Sequence, residues 1–142
     1  DFKGTALAVT FIFTRCPMPD YCPRLSTRFL EAQRALTRQK ATPWHFLMLS
    51  FDPQHDTPAV LRAYAKIQGI ELRTCAFATT AEQETILAWG SRFGLTVGFK
   101  GGLIDHNLRT VVIDAGGRVQ HVFEGSQWTA DELVWEMQKA MR

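Results

Sequence analysis

Two short stretches of the chain are almost continuously apolar and rich in β-formers. Residues 6–14 read ALAVTFIFT and residues 44–51 read WHFLMLSF. Runs of this length without polar alternation predict strands covered on both faces. Between them Leu25, Phe29, Ala32 and Leu36 fall at i, i+4, i+7 and i+11. That spacing marks one face of a helix over residues 23–40. Strand, helix, strand predicts a parallel pair joined by a right-handed crossover. Thr57 before Pro58 predicts the capped start of a second helix that stops near Gly69. Thr80 with Gln83 has the capping-box pattern for a third helix, reaching about Phe93. Five of the ten glycines fall within residues 90–102, which predicts a mobile loop. Residues 108–113 and 118–123 read as strands joined through Asp114-Ala115-Gly116-Gly117, a hairpin signal. Thr129 and Glu132 form a further capping box, ahead of Leu133, Val134, Met137 and Met141 on one helix face.

The resulting order, β-α-β-α-(β)-α-β-β-α, is the arrangement of a thioredoxin-like α/β fold: a central mixed sheet with flanking helices. The chain has 142 residues, a single-domain length, with no internal repeat, low-complexity tract or linker. A core of that size needs no disulfide. The net charge of +2 gives no case for nucleic acid binding. No apolar run approaches the ~20 residues that cross a membrane. The first residues lead directly into a buried strand, as expected of a mature or trimmed domain separated from an N-terminal leader or membrane anchor.

Candidate chemistry centres on FTRCPMPDYCP, which follows the first strand. Cys16 and Cys22 are separated by five residues, and Pro17, Pro19 and Pro23 stiffen the segment. Cys22 directly precedes Pro23, where a helix N-cap belongs. There its sulfur would meet unpaired N–H groups and the positive end of the helix dipole. Arg15 and Arg24 flank the pair, and all of these effects favour thiolate. Open α/β sheets place their sites at the C-terminal ends of their strands. The bland alternative is a surface disulfide closing a short loop.

FTRCPMPDYCP, then FDPQHDTP, then IDHNLRTVVIDAGGRV, in this order over residues 2–141, resemble the SCO/SenC family of thioredoxin-like copper proteins. The resemblance implies copper held by Cys16, Cys22 and His106. It also implies a role in building the dinuclear copper centre of cytochrome c oxidase, as a copper chaperone or as a thiol–disulfide reductase for that centre. The implied partner is the oxidase copper-site subunit or another copper or thiol protein. The implied setting is extracytoplasmic, a bacterial periplasm, with a membrane tether outside this chain. Two thiolates and an imidazole form a soft three-coordinate set suited to Cu(I), and with an added ligand to Cu(II). Asp105 adjoins His106, but no fourth ligand of a closed zinc site is evident. The glycine-rich stretch before His106 implies a ligand that swings in and out, with residues 94–105 gating transfer. Two features depart from the family pattern. The cysteines stand five residues apart instead of three, which bears on bite angle, potential and affinity. Cys75 stands where the family tends to have tryptophan, and reads as a buried structural thiol.

The remaining polar candidates have quieter readings. His45 and His121 read as structural, and His55 as an outer-shell group at most. Asp52 and Asp56 read as turn and cap residues, and Met18 as an exposed loop residue or a weak soft contact. Arg24, Arg28, Arg34, Arg38 and Lys40 against Glu31 read as a solvated helix face, or as a docking surface for an acidic partner or anionic membrane. Trp135 reads as peripheral packing. A peroxiredoxin would place threonine three residues before its cysteine, whereas Thr14 is two before Cys16. No GxSxG or P-loop supports a hydrolase. Three functions therefore stand at this point: copper-binding assembly factor, thiol–disulfide oxidoreductase using Cys16 and Cys22, and redox sensor.

Overall fold

The computed structural model describes residues 2–100 and 103–142. The first apolar run forms β1 (Ala6–Ile12), in which every residue except Leu7 is buried. The elements that follow are α1 (Cys22–Arg38), β2 (Trp44–Ser50), α2 (Pro58–Gln68), β3 (Cys75–Ala78) and α3 (Gln83–Ser91). Then come β4 (Val97–Lys100), β5 (Leu103–His106), β6 (Arg109–Ile113), β7 (Val119–Glu124) and α4 (Ala130–Ala140). The five-stranded sheet has the order β3-β2-β1-β6-β7. β1 lies at its centre, parallel to β2 with Ala8 opposite Phe46, and antiparallel to β6 with Val9 opposite Val111. This is the expected mixed sheet. Its two central strands are covered on both faces, which accounts for their unbroken apolar runs.

α1 covers one face of the sheet through Phe29, whose ring lies 4.9 Å from Phe46. α3 covers the other, with Trp89 5.8 Å from Phe11. Full burial of each such side chain stabilises the fold by roughly 1.5–3 kcal/mol. The expected caps form at α2 and α4. Thr57 Oγ1 accepts from the Val60 N–H, and Gly69 closes α2 at φ 74°. Thr129 and Glu132 make a reciprocal capping box.

Two expectations are corrected. The box at Thr80 and Gln83 does not form. Thr80 donates to the Glu82 carbonyl, and Gln83 donates to the Phe51 carbonyl at 2.7 Å. Gln83 thus pairs with an acceptor at the end of β2, a partner the local pattern does not contain. The glycine-rich stretch is also more ordered than a loop. Residues 97–100 and 103–106 pair as an antiparallel hairpin, Phe99 opposite Ile104, while Gly101 and Gly102 lie outside the described residues. Gly90 permits close packing, since a Cβ there would stand 2.5 Å from Leu95 Cδ2, and Gly94 has φ +84°.

The loops leaving β1 and β2 are tied together by one buried carboxyl. Asp56 accepts from Ser50 Oγ at 2.6 Å, from the Thr14 N–H at 3.0 Å, and from the Thr14 hydroxyl. Ser50 Oγ also receives the Asp52 N–H at 3.1 Å. Asp56 is fully buried, so its removal takes the acceptor from the buried Ser50 hydroxyl and from two donors of the partly buried Thr14. Asp56→Ala should lower unfolding stability by about 3 kcal/mol, read as a reduced urea midpoint at unchanged m-value.

Candidate metal centre

The chain leaves β1 through Phe13 and Thr14 and turns at once, with the Cys16 N–H donating to the Phe13 carbonyl. A second turn, from the Tyr21 N–H to the Met18 carbonyl, leads into α1. The proline-rich segment is pinned at Asp20. Ser126 Oγ donates to its carbonyl at 2.6 Å, and Arg24 reaches its carboxylate at 2.5 Å. Tyr21, not Cys22, is the N-cap, and it makes no side-chain cap bond. Cys22 is the first residue of α1 and is fully buried, whereas Cys16 is partly exposed.

His106 arrives from the opposite side, at the end of β5. It is 6% exposed and boxed by the rings of Phe51, Phe13 and Tyr21 at 4.9, 5.4 and 5.6 Å. Its Nδ1 lies 2.6 Å from the Asn107 carbonyl oxygen. A carbonyl only accepts, so that bond assigns the proton to Nδ1 and leaves the Nε2 lone pair free. Nε2 faces Cys22 Sγ at 4.0 Å. The two sulfurs and the His106 nitrogen all lie within 4.8 Å of one another. Two sulfurs and a correctly oriented imidazole form a donor set that fits a soft cation such as Cu(I). The family-implied trio is thus brought together. Asp105, exposed beside it, does not join the group.

The charge within the pair is distributed unevenly. The Cys16 thiol is lowered to about 4, chiefly because the Cys22 thiol donates to its sulfur, with partial burial opposing. Cys22 is raised, because its proton is held by Cys16, its site is buried, and the Cys16 charge is adjacent. This reverses the expectation that the helix N-terminus makes Cys22 the thiolate. Burial and the neighbouring anion outweigh the dipole there. The flanking arginines do not act on the sulfurs as expected. Arg15 pairs with Asp52 at 2.8 Å and Arg24 with Asp20.

Cys75 is fully buried and pushed up to about 12 by that burial, as expected of a structural thiol. Met18 is half exposed and lines a cleft of about 270 Å³ with Cys16, Tyr21, Ile104 and His106. His55 is exposed and stands outside the cluster. His45 lies against Phe2 in a tilted ring contact, and His121 meets Phe123 edge to face beside Glu136. Trp135 is 56% exposed rather than packed, with Lys139 over its ring at 5.9 Å. On α1, Arg24 and Arg28 are paired with Asp20 and Glu31.

Sequence reasoning assigned Asp56 to a local cap and passed over Phe13, Tyr21 and Phe51 as ligand supports. These residues sit inside the FTRCPMPDYCP and FDPQHDTP motifs, but the groups they contact are distant in sequence. The charge distribution has a direct consequence. A depressed pKa keeps the Cys16 sulfur anionic until the pH falls through about 4, where it protonates. At about pH 6, iodoacetamide should modify Cys16 and spare Cys22 and Cys75, as read by peptide mass mapping. Cys22→Ala removes the donor and should slow that reaction.

The SCO1/SenC family model matches residues 1–142. A SCO2-like protein of Rickettsia felis is 26% identical over 125 residues, covering 83% of this chain and 58% of its own length. The chain spans about half the length of the curated relatives it matches. A SCO1/SenC family lipoprotein from Bacillus anthracis superposes with a TM-score of 0.88 at 22% identity, over 100% of this chain and 84% of its own. Arabidopsis thaliana ScoI, solved with copper bound, gives 0.81 at 20% identity, over 99% and 86%. These neighbours share the fold of this chain, and the match over the full sequence places this chain in the SCO1/SenC family.

Proposed function

We propose that the chain is a copper-binding assembly factor, with Cys16, Cys22 and His106 as the ligands. The single observation that carries this reading is the convergence of two sulfurs and one lone-pair nitrogen within 4.8 Å, inside an aromatic enclosure. Copper is cargo here. The two sulfurs supply the soft donors that Cu(I) prefers, and the imidazole adds the borderline donor that lets the same site accept Cu(II). Cys16 is already deprotonated at neutral pH, so metal binding need displace only the Cys22 proton. The five-residue spacing is compatible with chelation, because the two sulfurs and the His106 nitrogen still lie within 4.8 Å of one another.

The recipient is the dinuclear copper site of cytochrome c oxidase, by the family resemblance, or another copper or thiol protein. The setting is extracytoplasmic, in a bacterial periplasm and tethered to a membrane, as supported by the lipoprotein neighbour. No described helix is long and apolar enough to cross a membrane. The chain forms one thioredoxin-like domain over residues 1–142.

A second reading, thiol–disulfide oxidoreductase, is favoured by the asymmetry of the cysteines. A partly exposed thiolate at Cys16 is placed to attack a partner's disulfide, giving a mixed disulfide and releasing one partner thiolate. Cys22, once deprotonated, then attacks Cys16 Sγ. This forms the internal disulfide and releases the second partner thiolate. His106 separates the readings, since dithiol exchange does not require it.

Titration of the reduced protein should show one Cu(I) per chain and a thiolate-to-Cu(II) absorption band that is lost in His106→Ala. Absence of tight copper, or binding indifferent to His106, would overturn the chaperone reading in favour of the dithiol.

A further inference from the structure

The position of His106 depends on its neighbour. Asn107 follows β5 and brackets the segment that enters β4. Its side-chain Oδ1 accepts from the Thr96 N–H at 2.8 Å, and its Nδ2 donates to the Gly94 carbonyl at 2.9 Å. Its own N–H donates to the Thr96 carbonyl at 3.2 Å. Three bonds from one residue thus close the base of the β4–β5 hairpin. The fourth polar group of Asn107, its carbonyl, receives His106 Nδ1. That carbonyl is carried by the same residue that these three bonds hold in place. The segment receiving the bracket is itself fixed, since Arg109 Nε donates to the Phe93 carbonyl at 3.0 Å.

We infer that Asn107 is a positioning residue for the metal centre: its side chain anchors the carbonyl that holds the His106 proton on Nδ1 and aims Nε2 at the sulfurs. This rests on His106 being a ligand, as proposed above, and it revises the picture of a freely swinging histidine. Release of the imidazole requires the Nδ1 bond to the Asn107 carbonyl to break, and the bracket at Gly94 and Thr96 keeps that carbonyl from following the ring. Hydrogen-bonded partners of ligating histidines typically alter metal affinity by about 10–100-fold.

The test uses reduced, metal-free protein labelled with ¹⁵N at histidine, compared among wild type, Asn107→Ala, Asn107→Asp and Gln33→Ala. Gln33 makes a comparable bracket, to the Glu71 carbonyl and N–H and to Thr74 Oγ1, three helical turns from Cys22. In wild type, the His106 ring nitrogens should carry the shifts of a fixed Nδ1–H tautomer. Asn107→Ala should move both toward the tautomer average, and Asn107→Asp, which keeps the acceptor for Thr96, should lie between. Gln33→Ala should leave them unmoved while lowering the melting temperature. Cu(II) should dissociate at least about 10-fold faster from Asn107→Ala than from wild type, and Cu(I), held by two sulfurs, should change less. A cooperatively melting Asn107→Ala with wild-type His106 shifts would overturn the inference, as would equal displacement by Gln33→Ala. If Asn107→Ala does not melt cooperatively, Asn107→Asp decides by the same shifts. Failure of wild type to bind copper would remove the proposed function, and the nitrogen shifts would still decide the role of Asn107.

Discussion

The Asp56 carboxyl is the constraint on which the site depends. Parallel strands end side by side, and the loops leaving β1 and β2 must diverge from neighbouring points on one sheet edge. Each carries polar backbone that sheet pairing no longer satisfies. Asp56 takes the N–H and hydroxyl of Thr14 from one loop and the Ser50 hydroxyl from the other. Cys16 lies two residues beyond Thr14, and Phe51, which packs on His106, follows Ser50. One buried acceptor therefore sets both the departure of the cysteine segment and the position of an aromatic wall of the histidine enclosure.

From that edge outward, the site is assembled from three independent supports. The cysteine segment is held at Asp20 by Ser126, from the connection between β7 and α4. Cys22 is immobilised as the first residue of a helix whose apolar face is in the core. His106 is delivered by a separate two-stranded sheet and bracketed by Asn107. The donors converge because rigid elements meet, not because one flexible loop wraps a metal. Such preorganisation lowers the ordering cost of binding. It also leaves Cys16 as the accessible sulfur and Cys22 as the sheltered one.

Much of the frame was legible in the order of residues. The strand–helix–strand opening follows from apolar runs and from the helical spacing of Leu25, Phe29, Ala32 and Leu36, because periodicity reports local burial. The caps at Thr57, Gly69 and Thr129 were legible because their partners lie within four residues. Thr80 misled for the complementary reason. Its capping pattern is local, but Gln83 is claimed by the Phe51 carbonyl, 32 residues away. The glycines before His106 misled because composition cannot distinguish flexibility from close packing, and Gly90 serves the latter against Leu95.

The residues of the proposed site were likewise named by the sequence, through the motifs that carry the family resemblance: two cysteines beside prolines and a histidine in IDHN. What the sequence by itself determined is therefore the set of elements and the donor types, both of which are properties of short segments. Only the tertiary structure decided which sulfur carries the charge. That depends on burial and on which thiol faces which, and it reversed the assignment drawn from helix position. Only the tertiary structure, too, joined Asp56 to Thr14 and Asn107 to Gly94. Hydrogen bonds between distant segments leave no period in the chain, and their partners become neighbours only once the sheet has formed.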